Sequence, residues 1–222
     1  MLNELIFLSQ SIIIALATLG ALRLGAQALV ALICLQGVLS NLFVVKQIDL
    51  FGFHVTGADA FSVGMILGLN LLQEFYGQPI AKKTIWLNFF CLVFYTIISQ
   101  IHLLYLPNAF DTMSVHFQPL LSLMPRITIA SIVVYLVVQY LDAWFYGKLK
   151  TKLTSRFFIA RTWAAASISQ LIDTVLFSFL GLYGIIEDVW HVIIISYLIK
   201  MVVIFIATPF LMLIKRYKIQ PN

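Results

Sequence analysis

Seven runs of roughly 20 mostly apolar residues divide this chain, at 5–22, 26–45, 58–76, 84–106, 120–144, 163–184 and 190–214. A bilayer core about 30 Å thick takes about 20 helical residues to cross, and inside it every backbone N–H and C=O must be bonded within the protein. Stretches such as SIIIALATLGAL and SYLIKMVVIFIATPFLMLI lack the alternation of a barrel strand. The expectation is an all-α integral membrane protein of about seven transmembrane helices. With 62% hydrophobic and 10% charged residues, the chain sits far from the roughly 45–50% and 25% of soluble domains. A globule of 222 residues cannot hide that much apolar surface from water, which excludes a soluble enzyme. Ala15 and Ala17 have the small-x-small spacing of a cleavage site, but MLNELIF carries Glu4 and no Lys or Arg, so the first run reads as a retained helix rather than a signal peptide.

Alternate connections carry Arg23; Lys82 and Lys83; Lys148, Lys150, Lys152, Arg156 and Arg161; and Lys215, Arg216 and Lys218. The opposite connections carry Glu4, Asp49, Asp111, Glu187 and Asp188, with Lys46 at a helix end. Because basic loops stay cytoplasmic, the N-terminus is expected outside and the C-terminus inside. Topology accounts for the net charge of +5 and leaves nucleic-acid binding without a motive.

The segment QIDLFGFHVTG, 47–57, is polar and turn-rich, which suggests a small hairpin or re-entrant loop at the outer face. Ala60, Gly64 and Gly68 recur every four residues, the spacing of a helix packing seam, with a gating kink as the alternative. Ala17, Ala21 and Gly25 make a weaker seam on the first run. Cys34 and Cys91 sit inside apolar runs without metal or disulfide spacing and read as packing residues.

An ionised side chain at the membrane centre costs about 2.5–3.5 kcal/mol on insertion scales, so each calls for a partner or a task. Glu74, Arg126, Asp142, Asp173 and Lys200 are the candidates. Asp173 shares a helix face with Gln170 and Phe177, three residues before and four after. Lys200 lies at a similar depth in the next run. A structural ion pair and a polar site at the bundle centre are compatible readings of the two. Glu74 and Asp142 end helices at the cytoplasmic side, where a carboxylate opposes the macrodipole and calls for a partner. Asn70 shares a face with Glu74, and Tyr135 and Gln139 with Asp142. Arg126 either snorkels to the interface or joins a pocket.

His54, His102, His116 and His191 fall in or near outer loops without metal-ligand spacing and read as interfacial or capping. GxxxxGK[ST], GxGxxG and GxSxG motifs are absent, and Asp111, Ser114 and His116, though close in sequence, are no triad. No metal, cofactor or catalytic residue is expected.

The stretches LLQEFYGQPIAKK (71–83), PRITIASIVVYLVVQYLDAWFYGKL (125–149), SQLIDTVLFSFLGLYG (169–184) and SYLIKMVVIFIATPF (196–210) resemble the queuosine precursor transporters, also called the vitamin uptake transporter family. The likeness runs from about Leu39 to Phe210. It implies uptake of a 7-deazaguanine such as queuine, 7-cyano-7-deazaguanine or 7-aminomethyl-7-deazaguanine, a base precursor for tRNA modification, across a bacterial inner membrane. It also implies a six-helix core similar to the substrate-binding subunits of energy-coupling-factor transporters. On that basis residues 1–25 form an extra N-terminal helix, 26–214 the transporter core and 215–222 a basic cytoplasmic tail. The family's recurring polar positions match Glu74 with Tyr76 and Gly77, Arg126, Gln139 with Asp142, Gln170 with Asp173, and Lys200. Many relatives have Asp where this chain has Asn70, and Asn where it has Gln73.

The chemistry suits such a cargo. A deazaguanine presents adjacent N–H donors beside a carbonyl acceptor. A buried carboxylate accepts the donors, Gln170 or Lys200 serves the carbonyl, and an aromatic ring stacks on the base. The expectation is that Asp173 reads this edge with Gln170, Lys200 and Phe177 beside it, while Glu74, Gln139 and Asp142 line the cytoplasmic part of the route. Competing classes are a substrate-binding subunit needing a partner ATPase that docks on the first helix, a membrane-embedded enzyme, and a purely structural protein. A homodimer is compatible with the sequence.

Overall fold

The computed structural model describes residues 2–152 and 158–216, with side chains described over 2–62, 64–73, 75–138, 141 and 167–202. Each of the seven apolar runs forms a helix. In chain order the elements are α1 (Leu2–Leu24), α2 (Ala26–Phe43), the strands β1 (Gln47–Leu50) and β2 (Phe53–Thr56), α3 (Asp59–Tyr76), α4 (Gln78–His102), α5 (Ser114–Leu121), α6 (Met124–Lys152), α7 (Phe158–Phe177), a π-helical turn Ser178–Leu182, and α8 (Val189–Arg216). Among the described residues four helical stretches are long and apolar enough to cross a membrane, Leu2–Leu24, Ala26–Phe43, Gln78–His102 and Ser114–Val138. Shorter apolar helices accompany them. Trp86, Phe90, Phe94 and Ile97 of α4, Ile129 and Val133 of α6, and Leu5, Leu8 and Ile12 of α1 all point outward. A perimeter so apolar is stable against lipid and not against water.

Single glycines join α1 to α2 and α3 to α4. Gly25 and Gly77 have φ of 104° and 90°, which any other residue would adopt only under strain, and they let the chain reverse without a loop. The segment between α2 and α3 is a hairpin, with Gln47 opposite Thr56 and Leu50 opposite Phe53. Its turn is Phe51–Gly52, both at positive φ (52° and 81°), the twist that suits a two-residue hairpin. The Phe51 N–H donates to Glu4 Oε1 at 3.1 Å, and the Asn3 side chain donates to the Asp49 carbonyl at 3.0 Å, tying the hairpin to α1. Leu50 and Val55 are buried against Ile195 of α8, so the hairpin closes one end of the bundle.

Lipid tails are as apolar as leucine, so these helices associate through close packing and interhelical hydrogen bonds. Ala60, Gly64 and Gly68 form the packing face of α3. A Cβ on Gly64 would collide with Ile14 Cγ2 and meet Gln36 Oε1 at 2.6 Å, and one on Gly68 would meet Ile33 Cγ1 at 2.7 Å. The α1 seam is corrected. Ala17 is exposed, and α1 turns Ile14, Thr18, Ala21 and Leu22 inward, because Ile14 fills the space left by Gly64. The Thr18 hydroxyl donates to the Ile14 carbonyl at 2.8 Å, consistent with that facing. Elsewhere polar pairs bind the helices. Ser131 of α6 donates to Asn41 Oδ1 of α2 at 2.8 Å, and the Thr96 and Thr128 hydroxyls of α4 and α6 share a bond of 2.7 Å.

Helix α5 was not anticipated, and the sixth helix consequently begins at Met124 rather than 120. The Asp111 carboxylate accepts the N–H groups of Met113 (2.7 Å) and Ser114 (3.2 Å) as well as the Ser114 hydroxyl, satisfying donors that open α5. The Ser114 hydroxyl and these N–H groups hold the Asp111 carboxyl below its ordinary range. Gly64→Leu is expected to destabilise the fold by about 1–3 kcal/mol through overpacking, read as a lower melting temperature in detergent. Gly20→Ala, with nothing within 4 Å of the added carbon, should leave it unchanged.

Candidate functional site

Helices α7 and α8 run antiparallel and bring their intramembrane charges together. Lys200 Nζ donates to Asp173 Oδ2 at 2.6 Å and to Thr174 Oγ1 at 3.1 Å. Thr174 in turn donates to the Gln170 carbonyl at 2.8 Å. The Lys200 side chain is 11% exposed, whereas the Asp173 side chain keeps 28% of its surface accessible. The lysine is therefore the embedded partner, and the carboxylate is the one another molecule can reach. Lys200 lies eleven residues into α8, about 16 Å along its axis and near half the depth of a bilayer core. Removing one member of such a pair costs about 3–5 kcal/mol, because the other is left buried and unpaired.

One turn before Lys200 the Ser196 hydroxyl donates to Asp59 Oδ2 at 2.8 Å. Asp59, at the first position of α3, is 5% exposed, and among the described residues no cation contacts it. Three helices thus converge on two carboxylates, one ammonium and the hydroxyls of Thr174 and Ser196. Sequence reasoning missed Asp59, which opens an apolar run and looks like an ordinary helix start. It is buried where the hairpin leads into α3, with Thr56 and Ala58 buried beside it and Ser196 of α8 bonded to it. The helix N-terminus returns about 0.3–1 kcal/mol to its carboxylate, against a cost of several kcal/mol for burying the ion.

The other anticipated residues are distributed differently. Gln170 is half-buried one turn from Asp173, and its side chain makes no hydrogen bond among the described residues. Phe177 packs into the apolar cluster of Met124, Ile127 and Leu182, with its ring 3.2 Å from where a Gly181 Cβ would stand. Arg126 is exposed and donates to the carbonyls of Leu180 (3.1 Å) and Tyr183 (2.5 Å), capping the π-helical turn with a cation. Asn70 is half-buried on α3 and makes no hydrogen bond among the described residues. The side chains of Glu74, Gln139 and Asp142 lie outside the described residues. Tyr76 donates to the Leu22 carbonyl at 3.5 Å.

At the hairpin end His54 Nδ1 meets Asp49 Oδ1 at 2.6 Å, and Asp188 accepts the His191 N–H at 3.2 Å. The two imidazoles stand 5.7 Å apart, yet no group of three metal-binding side chains occurs among the described residues. A cleft of about 970 Å³ opens between α4 and α5, lined by His102, Tyr105, Phe110, Asp111 and Phe117 among others. None of the anticipated site residues lines it. Asp111 is occupied in capping α5, so it forms no triad with Ser114 and His116.

Residues 57–214 match the protein family described as "Putative vitamin uptake transporter". The chain is 32% identical over 191 residues to the "Probable queuosine precursor transporter" of Bacillus subtilis (strain 168), an alignment covering 84% of this chain and 82% of that protein. No solved structure matches. With its apolar helices and a polar centre between α3, α7 and α8, this multi-pass membrane protein belongs to the vitamin uptake transporter family.

Proposed function

We propose that this chain imports a queuosine precursor, a 7-deazaguanine base, across a bacterial inner membrane. It does so as a seven-helix carrier whose N-terminus is outside and whose C-terminus is cytoplasmic. The observation that carries the reading is the Asp173–Lys200 pair at mid-depth, with the carboxylate partly accessible and the lysine embedded. The name of the Bacillus subtilis relative supports the choice of cargo.

In this mechanism Asp173 accepts the adjacent N–H donors of the base, and Lys200 donates one of its three N–H groups to the ring carbonyl. The pair remains intact while the base binds. Gln170 supplies an additional amide, and Phe177 an apolar face. Asn70, Glu74, Gln139 and Asp142 belong to the part of the route toward the basic end, and Arg126 holds the end of α7 that faces the opposite side. A base lacking the donors leaves the carboxylate unsatisfied, which is the source of discrimination.

Uptake of 7-cyano-7-deazaguanine by the chain alone in liposomes, with no ATPase present, tests the carrier reading directly. Asp173→Asn is expected to weaken uptake about tenfold to a hundredfold, as loss of one charge-assisted hydrogen bond of about 1.5–3 kcal/mol implies, and to erase the preference for guanine-like bases. Uptake and preference both intact would exclude Asp173 from the site. Because the substitution strands Lys200, the double variant Asp173→Asn with Lys200→Met separates folding from recognition: it should regain stability and not uptake.

Topology has its own test. In a cysteine-free background, Phe51→Cys should react with an impermeant maleimide added to intact cells, and Lys82→Cys only after lysis. The reverse pattern would invert the orientation.

A further inference from the structure

Lys200 serves two carboxylates with one charge. It contacts Asp173, while Asp59 is held by Ser196, which lies four residues before Lys200 and so on the same face of α8. Among the described residues the other charged and histidine side chains on the surrounding elements are engaged, exposed or distant. Glu4 of α1 accepts the Phe51 N–H, Asp49 pairs with His54 on the hairpin, and Asp188 with His191 at the head of α8. His102 meets Phe117 edge-on at the end of α4, Lys46 between α2 and the hairpin is exposed and makes no ion pair with Asp59 among the described residues, and Arg23, Lys82 and Lys83 lie at the far ends of α1 and α4. Among the described residues Lys200 is the cation whose field reaches Asp59. Among the described residues it already spends two N–H groups on Asp173 and Thr174.

We infer that Asp59 is a proton-binding site, loaded together with the cargo and linked to it through Lys200. The inference rests on the reading of Asp173 as the cargo carboxylate. A base whose donors sit on Asp173 and whose carbonyl takes a Lys200 N–H draws the ammonium toward α7. Asp59, nearly sealed from water and then without a nearby cation, takes up a proton. The loaded centre holds one carboxylate, one ammonium and a neutral carboxyl, and so carries no net charge through the apolar bundle. The proton comes from water on the side where the base enters, and returns to water where the base leaves and Lys200 relaxes. Base binding therefore consumes a proton, and by linkage the affinity falls as pH rises through the range where Asp59 titrates.

The probe is 7-cyano-7-deazaguanine, which has no titrating amine. Its dissociation constant for purified wild-type protein should rise with pH, by up to about tenfold per pH unit, and a pH dye in weakly buffered solution should report proton uptake on binding. Asp59→Asn, a mimic of the protonated carboxyl, should bind at every pH with the affinity that the wild type reaches only at low pH, and should lose accumulation driven by a pH gradient. Asp59→Glu should restore both the pH dependence and the accumulation. Wild-type binding that is strong but independent of pH, an unchanged pH profile in Asp59→Asn, or accumulation that follows a sodium gradient at fixed pH would each overturn the assignment to Asp59 while leaving the cargo reading in place. Failure of the wild type to bind any 7-deazaguanine would remove the cargo reading, and this inference with it.

Discussion

The ion pair between Asp173 and Lys200 governs how the helices of this protein meet. In a bilayer neither charge is tolerable alone, and their mutual attraction repays the loss of water only when geometry and the remaining hydrogen bonds are favourable. At 2.6 Å, with Thr174 accepting a hydrogen bond from a second lysine N–H, that condition is met for the ammonium and only partly for the carboxylate. The pair therefore sets α7 against α8 at one depth and leaves one acceptor with capacity to spare. Within a turn and a half on α8, Ser196 ties in α3 through Asp59, and Ile195 seats the hairpin. Residues 195–200 are thus the point from which three other elements take their positions.

Two kinds of contact hold the bundle, and they differ in how they respond to a cargo. Around α1, α2 and α3 the fit is steric: Ile14 and Ile33 occupy the spaces of Gly64 and Gly68, and a displacement of even part of an ångström loses contacts or creates overlap. Around α7 and α8 the contact at the centre is electrostatic. A hydrogen-bonding molecule can substitute for part of it without opening a void. The sterically packed helices suit a frame, and the ionic centre suits the part that exchanges partners.

The lipid made much of the fold readable from sequence. A requirement for about 20 apolar residues leaves little freedom in placing helices, so the seven runs reappear as α1–α4 and α6–α8. QIDLFGFHVTG reappears as a hairpin because Gly52 takes positive φ freely and its outer residues alternate, while the bond from the Phe51 N–H to Glu4 accompanies a φ of 52° that a phenylalanine adopts only under strain. The meeting of Asp173 and Lys200 was legible because matched depth on consecutive antiparallel helices leaves few other partners. What escaped depended on tertiary covering or on short-range capping. Asp59 is polar and terminal in its run, and only tertiary packing, including its bond to Ser196 of α8, makes it buried. Asp111 starts α5 through its own side chain, a local effect that hydropathy does not register. Ala17, Ala21 and Gly25 have the spacing of a seam, but spacing reports where a close approach is allowed and not where a neighbour has room to receive it. Ile14 found that room at Gly64. Arg126 at a pocket or at an interface looked equally reasonable, since only the π-helical turn after Phe177 creates the bare carbonyls that it caps.

A centre built from a pre-formed pair constrains its cargo more tightly than a lone carboxylate does. Under the proposed function, an isolated acid at this depth would accept any cation or donor. Asp173 joined to Lys200 instead presents an acceptor and a donor side by side at a separation fixed by a 2.6 Å contact. A neutral molecule with donors adjacent to a carbonyl matches both without altering the total charge. A cationic ligand would compete with Lys200 for Asp173 and leave the ammonium buried without its partner. An anionic ligand would take Lys200 from Asp173 and strand the carboxylate. Both intruders are resisted by the cost of an unpaired ion in lipid, which is larger than the differences that shape alone provides between bases of similar size. Selectivity for a guanine-like edge then follows from the same constraint that set the helices in place: each charge at the centre is stable only while the other is satisfied.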